Sequence, residues 1–199
     1  MNIQRTPQIK TPKIKRENTE EKKKQIKKYN QEVRAYKQQL TKYILTSRFT
    51  NATHIENANF RKKNGIGCIY CSPEPIAKHI PVDAIIFMLE MNNDINKIIG
   101  IGMMKNHPSN KKYKIYETEN YNRNIYVGKH RIDRTEMTDE ENIIMTVFDI
   151  LCFTGNKHMK RGHGLKSFPI NMLYNCSKKL DLITFISNMF KQRMKKNEI

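Results

Sequence analysis

Glu117–Arg134 is the stretch whose residue types most directly suggest chemistry. Tyr121, Arg123, Tyr126, Lys129, His130, Arg131 and Arg134 interleave aromatic rings with cations there, and Asn120, Asn122 and Asn124 lie between them. Bases stack on Tyr and Arg planes for about 1–3 kcal/mol each, and Lys or Arg neutralise phosphates. As an extended strand, the segment turns Asn124 and Tyr126 one way and Ile125 and Val127 the other, a polar, stackable face set against a buried one. The alternative is an ordinary solvated hairpin whose tyrosines seal a sheet edge. A second candidate is Thr154–Lys166, with three glycines, two histidines and four cations. Its Lys157, His158, Lys160 and Arg161, together with exposed backbone N–H groups, suit a phosphate oxygen, although the loop would also serve as a flexible connection. The polar pair Asn92-Asn93 joins the candidate nucleic-acid-binding residues.

Other constellations are weaker. Cys68 and Cys71 have Cys-x-x-Cys spacing, which suits zinc or redox chemistry, but no second pair follows. His158 and His163 would have to complete the set, and four buried thiols are the simpler reading. Glu90, Asp133, His158 and His163 would furnish a metal-dependent nuclease if they converged, yet no His-Glu-x-x-His or comparable signature accompanies them. Gly100-Ile101-Gly102 follows a strand as a dinucleotide fingerprint would, but lacks a third glycine, and Asn106-His107-Pro108 stands where the phosphate-binding helix should start. These glycines are expected to let a strand bend or approach another backbone closely. No residue set calls for a cofactor.

The elements that must hold these residues divide the chain by charge. Of 37 Lys+Arg and 19 Asp+Glu, for a net +18, residues 1–63 carry 17 and 5 (+12), which leaves 20 and 14 (+6) for residues 64–199. Residues 1–17 read as a disordered basic tail, since two Thr-Pro steps and few apolar groups cannot offset ordering entropy. Residues 18–46 read as an amphipathic basic helix. Asn18 and Glu21 suggest its capping box, and Ile26, Tyr29, Val33, Tyr36, Leu40 and Tyr43 form one stripe. Such a stripe suits packing on the core, a short coiled coil for self-association, or a helix laid on an acidic surface. Residues 47–64 lack a period and read as a linker. Residues 65–192 read as an α+β domain with a small twisted mixed sheet or a barrel, and residues 193–199 as a basic tail. Within the domain, strands are expected at 67–71, 84–91, 97–104, 112–116 and 124–128, with a five-residue hairpin connection at 92–96. Ser72-Pro73-Glu74-Pro75 suggests a brief helix through Lys78. Thr138-Asp139-Glu140-Glu141 starts a helix carrying Ile143, Ile144, Val147, Phe148 and Leu151, and Leu180, Ile183, Phe185, Ile186 and Phe190 mark a closing helix.

The longest apolar run, Ala84–Leu89, has six residues where a bilayer span needs about 20. With no apolar leader at the start, the chain is expected in a reducing cytosol or nucleus. Ile, Asn and Lys supply 26, 21 and 27 residues, 74 in all, a bias expected of an AT-rich genome.

Pro81–Arg134 resembles the PUA-like superfamily, which includes EVE, ASCH and YTH domains. A strand after a Pro-containing connection (Val82–Met91), a second strand with the form Ile99-Gly100-Ile101-Gly102, and the tyrosine-rich polar segment beyond it carry the likeness. Glu90-Met91-Asn92-Asn93 and Asn120-Tyr121-Asn122-Arg123 are also similar to segments of large DNA virus proteins. The superfamily resemblance implies a small PUA-like β-barrel with flanking helices that binds RNA or DNA, in some members by holding a modified base. With no Trp, Tyr113, Tyr121 or Tyr126 would have to frame such a pocket. The expected function is a non-enzymatic nucleic-acid-binding module in a host cell, with a genome-packaging virion protein and a nuclease as the alternatives.

Overall fold

A computed structural model describes residues 14–156 and 158–196. They divide at Gln39/Leu40 into two units. The first carries α1 (Ile14–Gln38), whose Lys23 pairs with Glu20 at 3.1 Å. The helix begins before Asn18, so that residue does not cap it. It ends before Tyr43, which belongs to β1 (Lys42–Phe49). The stripe periodicity runs on into Tyr43, but Tyr43, Ile44, Thr46 and Phe49 favour an extended chain. All eight residues of β1 pair in parallel with β3 (Ile85–Asn92), and that long-range ladder overrides the helical pattern. Residues 1–13, most of the expected tail, lie outside the described residues.

Residues 51–64 are not a linker but α2 (Asn51–Asn64), held by a capping box in which Thr50 and Thr53 serve each other. Threonine takes the place of the usual acidic partner. Gly65 ends the helix at φ 63, the left-handed conformation that only glycine enters cheaply. Asn57 is buried on its inner face and donates to the Ile69 carbonyl at 2.9 Å and to the Tyr116 hydroxyl at 3.0 Å.

The remaining strands are β2 (Cys68–Ser72), β4 (Lys97–Lys105), β5 (Asn124–Gly128), β6 (His130–Asp133) and β7 (Lys166–Ser167). A mixed five-stranded sheet has the order β6-β4-β3-β1-β7, and β2 pairs with β5 in a separate two-stranded sheet. The fold is α+β, and neither sheet closes into a barrel: β2 and β5 pair with each other and cover one face of the larger sheet instead of joining its edges. Residues 112–116 and the Pro73–Lys78 segment are irregular, because Pro73 and Pro75 leave no helical ladder and side-chain bonds replace strand pairing after Lys112. The expected β3–β4 hairpin is present.

Between the two sheets lies an apolar core that includes Leu45, Phe49, Ile69, Ile86, Met88, Ile125 and Tyr126. The other face packs against α3 (Asp139–Phe153), α4 (Ile170–Ser177) and α5 (Leu182–Lys196). There Phe87 stacks on Phe190, with centroids 5.6 Å apart, and Phe148 meets Phe168 edge-on at the same distance. The Thr138/Glu141 capping box of α3 forms as its sequence indicates. That helix buries Met145, Phe148 and Cys152 and leaves Ile143 and Ile150 exposed. Arg193 is not part of a free tail. It lies in α5 and makes two 2.7 Å bonds to the Glu141 carboxylate, while residues 197–199 lie outside the described residues. Among the described residues no helix is long and apolar enough to cross a membrane.

Glu90 is buried in the middle of this sheet. It accepts from the Tyr70 hydroxyl at 2.7 Å and from Arg131 in a bidentate pair, with Nη2 to Oε2 at 2.6 Å, and Arg131 also binds Asp133 at 2.8 Å. Gly100 and Gly102 make room for this group. A Cβ at Gly100 would stand 2.6 Å from Arg131 Nη2, and one at Gly102 would overlap the Tyr70 hydroxyl. The Gly-Ile-Gly element therefore admits side chains, not a phosphate. Gly102→Ala should cost about 1–3 kcal/mol in urea denaturation through overpacking. Adding Tyr70→Phe should make the pair sub-additive, whereas strict additivity would dissociate Gly102 from the hydroxyl.

Candidate functional site

A cleft of about 220 Å³ opens where β1 ends. Arg48 is the penultimate residue of that strand, Thr50 and Thr53 come from the start of α2, and Asn93 from the β3–β4 connection. Tyr116 and Tyr121 come from the segment before β5, and Lys160, Gly162, His163 and Gly164 from the loop between α3 and β7. The tyrosines are set by Asn122. Its Oδ1 accepts from the backbone N–H groups of Ile115 (3.0 Å) and Tyr116 (3.1 Å), and its Nδ2 donates to the Tyr116 carbonyl at 2.8 Å. This clasp folds the segment back so that the Tyr121 ring stands edge-on to Tyr116, with centroids 6.4 Å apart and planes at 79°. Tyr116 is nearly buried, and burial pushes its phenol well above the ordinary value. Tyr121 is 37% exposed and offers its ring to the cleft.

The basic loop also lines the cleft. Arg48 Nε donates to the Met159 carbonyl at 2.7 Å and Nη1 to the Gly164 carbonyl at 3.2 Å, while Asn93 Nδ2 donates to the Lys160 carbonyl at 3.3 Å. Gly162 and Gly164, at φ 110 and 71, give the loop the turns it needs to wrap the guanidinium. Arg48 forms no ion pair with a carboxylate among the described residues. Burial draws its pKa down, partly opposed by Cys152. A half-buried cation without a counter-ion, with Lys160 and His163 beside it, makes this wall electropositive. The cleft can thus receive a flat ring against Tyr121 and an anion on the loop.

The structure distributes the sequence candidates differently from the single face expected. Tyr121, Asn93, Lys160 and His163 meet at the cleft. Arg123 and Arg161 are exposed, and His158 lies in the same loop as Lys160, its Nδ1 buried without a partner. Lys157 lies outside the described residues. Tyr126 is a core residue whose hydroxyl accepts from the Ile76 N–H at 3.0 Å, and Val127 is exposed, so the expected facing fails at these two positions, while Ile125 is buried as expected. Both faces of β5 are covered at Ile125 and Tyr126, so neither side of the strand is a free polar face there. Tyr113 packs edge-on against Phe60, 5.5 Å away, and does not frame the cleft. Arg131 is committed to Glu90 and Asp133. Burial depresses its pKa, and the charge and hydrogen bonds of those carboxylates more than reverse the effect. Arg134 is likewise committed, to Asn142 Oδ1 at 2.6 Å, the Ile98 carbonyl and Asp149. Asn92 donates to Asn51 Oδ1 at 2.8 Å and accepts from the Asp94 N–H, tying the hairpin to α2. Lys129 and His130 lie elsewhere, along a second groove. Arg48 and Tyr116 are not marked by the sequence, since the partners of Arg48 stand 111 and 116 residues away and the Asn57 partner of Tyr116 stands 59 away.

Glu90 and Asp133 share Arg131, and among the described residues no three His, Cys, Asp or Glu side chains form a metal-ion group. Burial raises the Cys68 and Cys71 thiols to about 12. His54, on α2 beside the cleft's Phe49 (6.0 Å, edge-on), has a buried Nε2 with no partner. Comparison with protein-family models, with curated proteins and with solved structures finds no match to this chain.

Burial lowers the His54 pKa below the ordinary 6.5. Above 6.5 the imidazole is neutral in both folded and unfolded chains. Below it the unfolded chain takes up a proton that the folded one resists, so stability falls as pH is lowered. The melting temperature should therefore decline from pH 7 to pH 5, and His54→Gln should flatten the decline. An unchanged slope in that variant would assign the titration to another group.

Proposed function

We propose that this chain is a nucleic-acid-binding module whose cleft holds one unstacked base of a single strand. The observation that carries the reading is the pairing of an aromatic wall, Tyr121 braced by Tyr116, with a cationic wall organised by Arg48. A splayed base stacks on an aromatic ring, and the adjoining phosphate is drawn to Lys160 and His163, with Arg161 in the same loop. Unpaired cations beside a ring-sized cleft favour this ligand over a neutral metabolite, whose binding would gain nothing from the uncompensated charge. The basic helix α1 and the residues before it supply sequence-independent attraction to phosphates further along the strand. The reading keeps the ligand class implied by the PUA-like resemblance and dispenses with its barrel. It needs no bond-breaking chemistry, because the carboxylates proposed for a nuclease are neutralised by Arg131.

Fluorescence anisotropy with single-stranded RNA and DNA oligonucleotides tests it. Affinity should fall steeply between about 50 and 200 mM salt. Tyr121→Ala should weaken binding by about 1–3 kcal/mol, roughly 5- to 150-fold, and Lys160→Ala by a smaller factor that is uniform across sequences. Salt-insensitive binding, or a Tyr121→Ala protein that binds like the parent, would remove the premise.

A further inference from the structure

A second concavity, of about 600 Å³, lies at the other end of the five-stranded sheet. The β3–β4 ladder places it there. Asn92 pairs with Lys97 at the end next to Asn93 and the cleft, while Ile85 pairs with Lys105 at the far end, beside the groove. Ile85, Met103, Met104 and Val127 contribute its apolar surface, and Lys105 and Lys129 stand on it as cations. The groove exists because the chain crosses β4 at Gly128, where any Cβ would collide with the Met103 carbonyl and Cys68 Sγ. The crossing leaves the end of β4 beyond Met103 without a β6 partner. Val127 is 36% exposed between buried Tyr126 and Gly128, so an apolar β-branched side chain faces outward in the middle of a strand.

Charge decides what this surface would hold. The one carboxylate in the groove, Asp83, already faces His107 Nδ1 at 3.2 Å. Neither Lys105 nor Lys129 forms an ion pair among the described residues, and His130 adds a further basic edge. No Tyr or Phe lines the groove, and of its two imidazoles His107 is turned to Asp83, so it offers little of the stacking platform that a nucleic-acid strand uses. Its methionines are pliable and accept aliphatic or aromatic side chains of varied shape. A concave site takes one inserted anchor, unlike the convex apolar face by which a helix lies on a membrane.

We infer that this groove docks a short acidic segment of a partner protein. One large apolar side chain of that segment inserts between Met103, Met104 and Val127, and its flanking carboxylates meet Lys105 and Lys129. The site is independent of the cleft and of any nucleic-acid ligand bound there.

The test uses an array of labelled hexapeptides with two central positions drawn from Leu, Ile, Met and Phe and four flanking Asp or Glu, measured against the full chain by anisotropy. Two control sets replace the central pair by Ser-Ser or the acids by Lys. Members of the acidic-apolar set should bind at least about tenfold tighter than both controls. Lys105→Glu with Lys129→Glu, and separately the exposed-site change Val127→Asp, should each remove most of that advantage while leaving the melting temperature and oligonucleotide affinity unchanged. The inference is overturned if the Ser-Ser set binds equally well, which would reduce the effect to net charge, or if the variants bind the array like the parent. It is also overturned if these variants weaken an oligonucleotide or an anionic phosphatidylserine vesicle and no acidic-apolar peptide binds.

Discussion

A carboxylate placed between two sheets makes demands on everything around it. Removing Glu90 from water costs several kcal/mol, which only close, well-aligned donors recover. Arg131 supplies a fork from the edge strand β6, and Tyr70 adds a hydroxyl from the covering sheet. One anion thereby ties three strands from two sheets to a single register. The strand between Glu90 and Arg131 has to be nearly bare, and β4 meets that requirement with glycine at the two positions nearest the charges. The crossing of β5 into β6 follows from the same geometry, since Arg131 reaches Glu90 only if β6 lies against β4. The cleft and the second groove lie at the two ends of the ladder that this network fixes.

Local signals in the sequence foretold the elements whose determinants are local. Thr138-x-x-Glu141 gave α3 its start, the turn-rich 92–96 segment joined two apolar runs into the β3–β4 hairpin, and β5 was found where Ile125 and Val127 flank Tyr126. Elements fixed by distant partners were misread. Residues 42–46 continue a helical spacing from α1, and only their parallel pairing with β3, some forty residues on, makes them a strand. Residues 51–64 hid a helix because Thr50 and Thr53 form a capping box without the Glu or Gln that usually announces one. The buried Asn57 makes the same point: an asparagine-rich stretch looks like a loop until its amide is seen spanning β2 and Tyr116.

The candidate site was legible only in part, and the reason is electrostatic. A count of cations does not tell free from committed charge. Arg131 and Arg134 lie in the basic, tyrosine-rich stretch, yet Arg131 is bound by Glu90, 41 residues off, as well as by Asp133, 2 residues on, and Arg134 by Asp149, 15 residues on. Arg48 has no such prominence, yet it is partly buried and forms no ion pair among the described residues. The tyrosines divide similarly, with Tyr126 surrendered to the core and Tyr121 kept at the surface by the clasp of Asn122. What the sequence could disclose was the loop 154–166, because its glycines and cations are consecutive.

The strand order also has a temporal side. β1 directly follows α1, yet its outer neighbour β7 pairs with it through Leu45 and Thr46, about 120 residues later. While a ribosome is still making the middle of this chain, β1 has one ladder satisfied by β3 and the other open to solvent. An open edge of this kind recruits foreign strands. High sequence separation between paired strands also slows the search for the native arrangement. β7 is only two residues long, a small closure for so late a step, and the helices that follow it complete the cover over that side of the sheet. During synthesis this seam therefore stays open until Lys166 and Ser167 have been made, about 120 residues after β1.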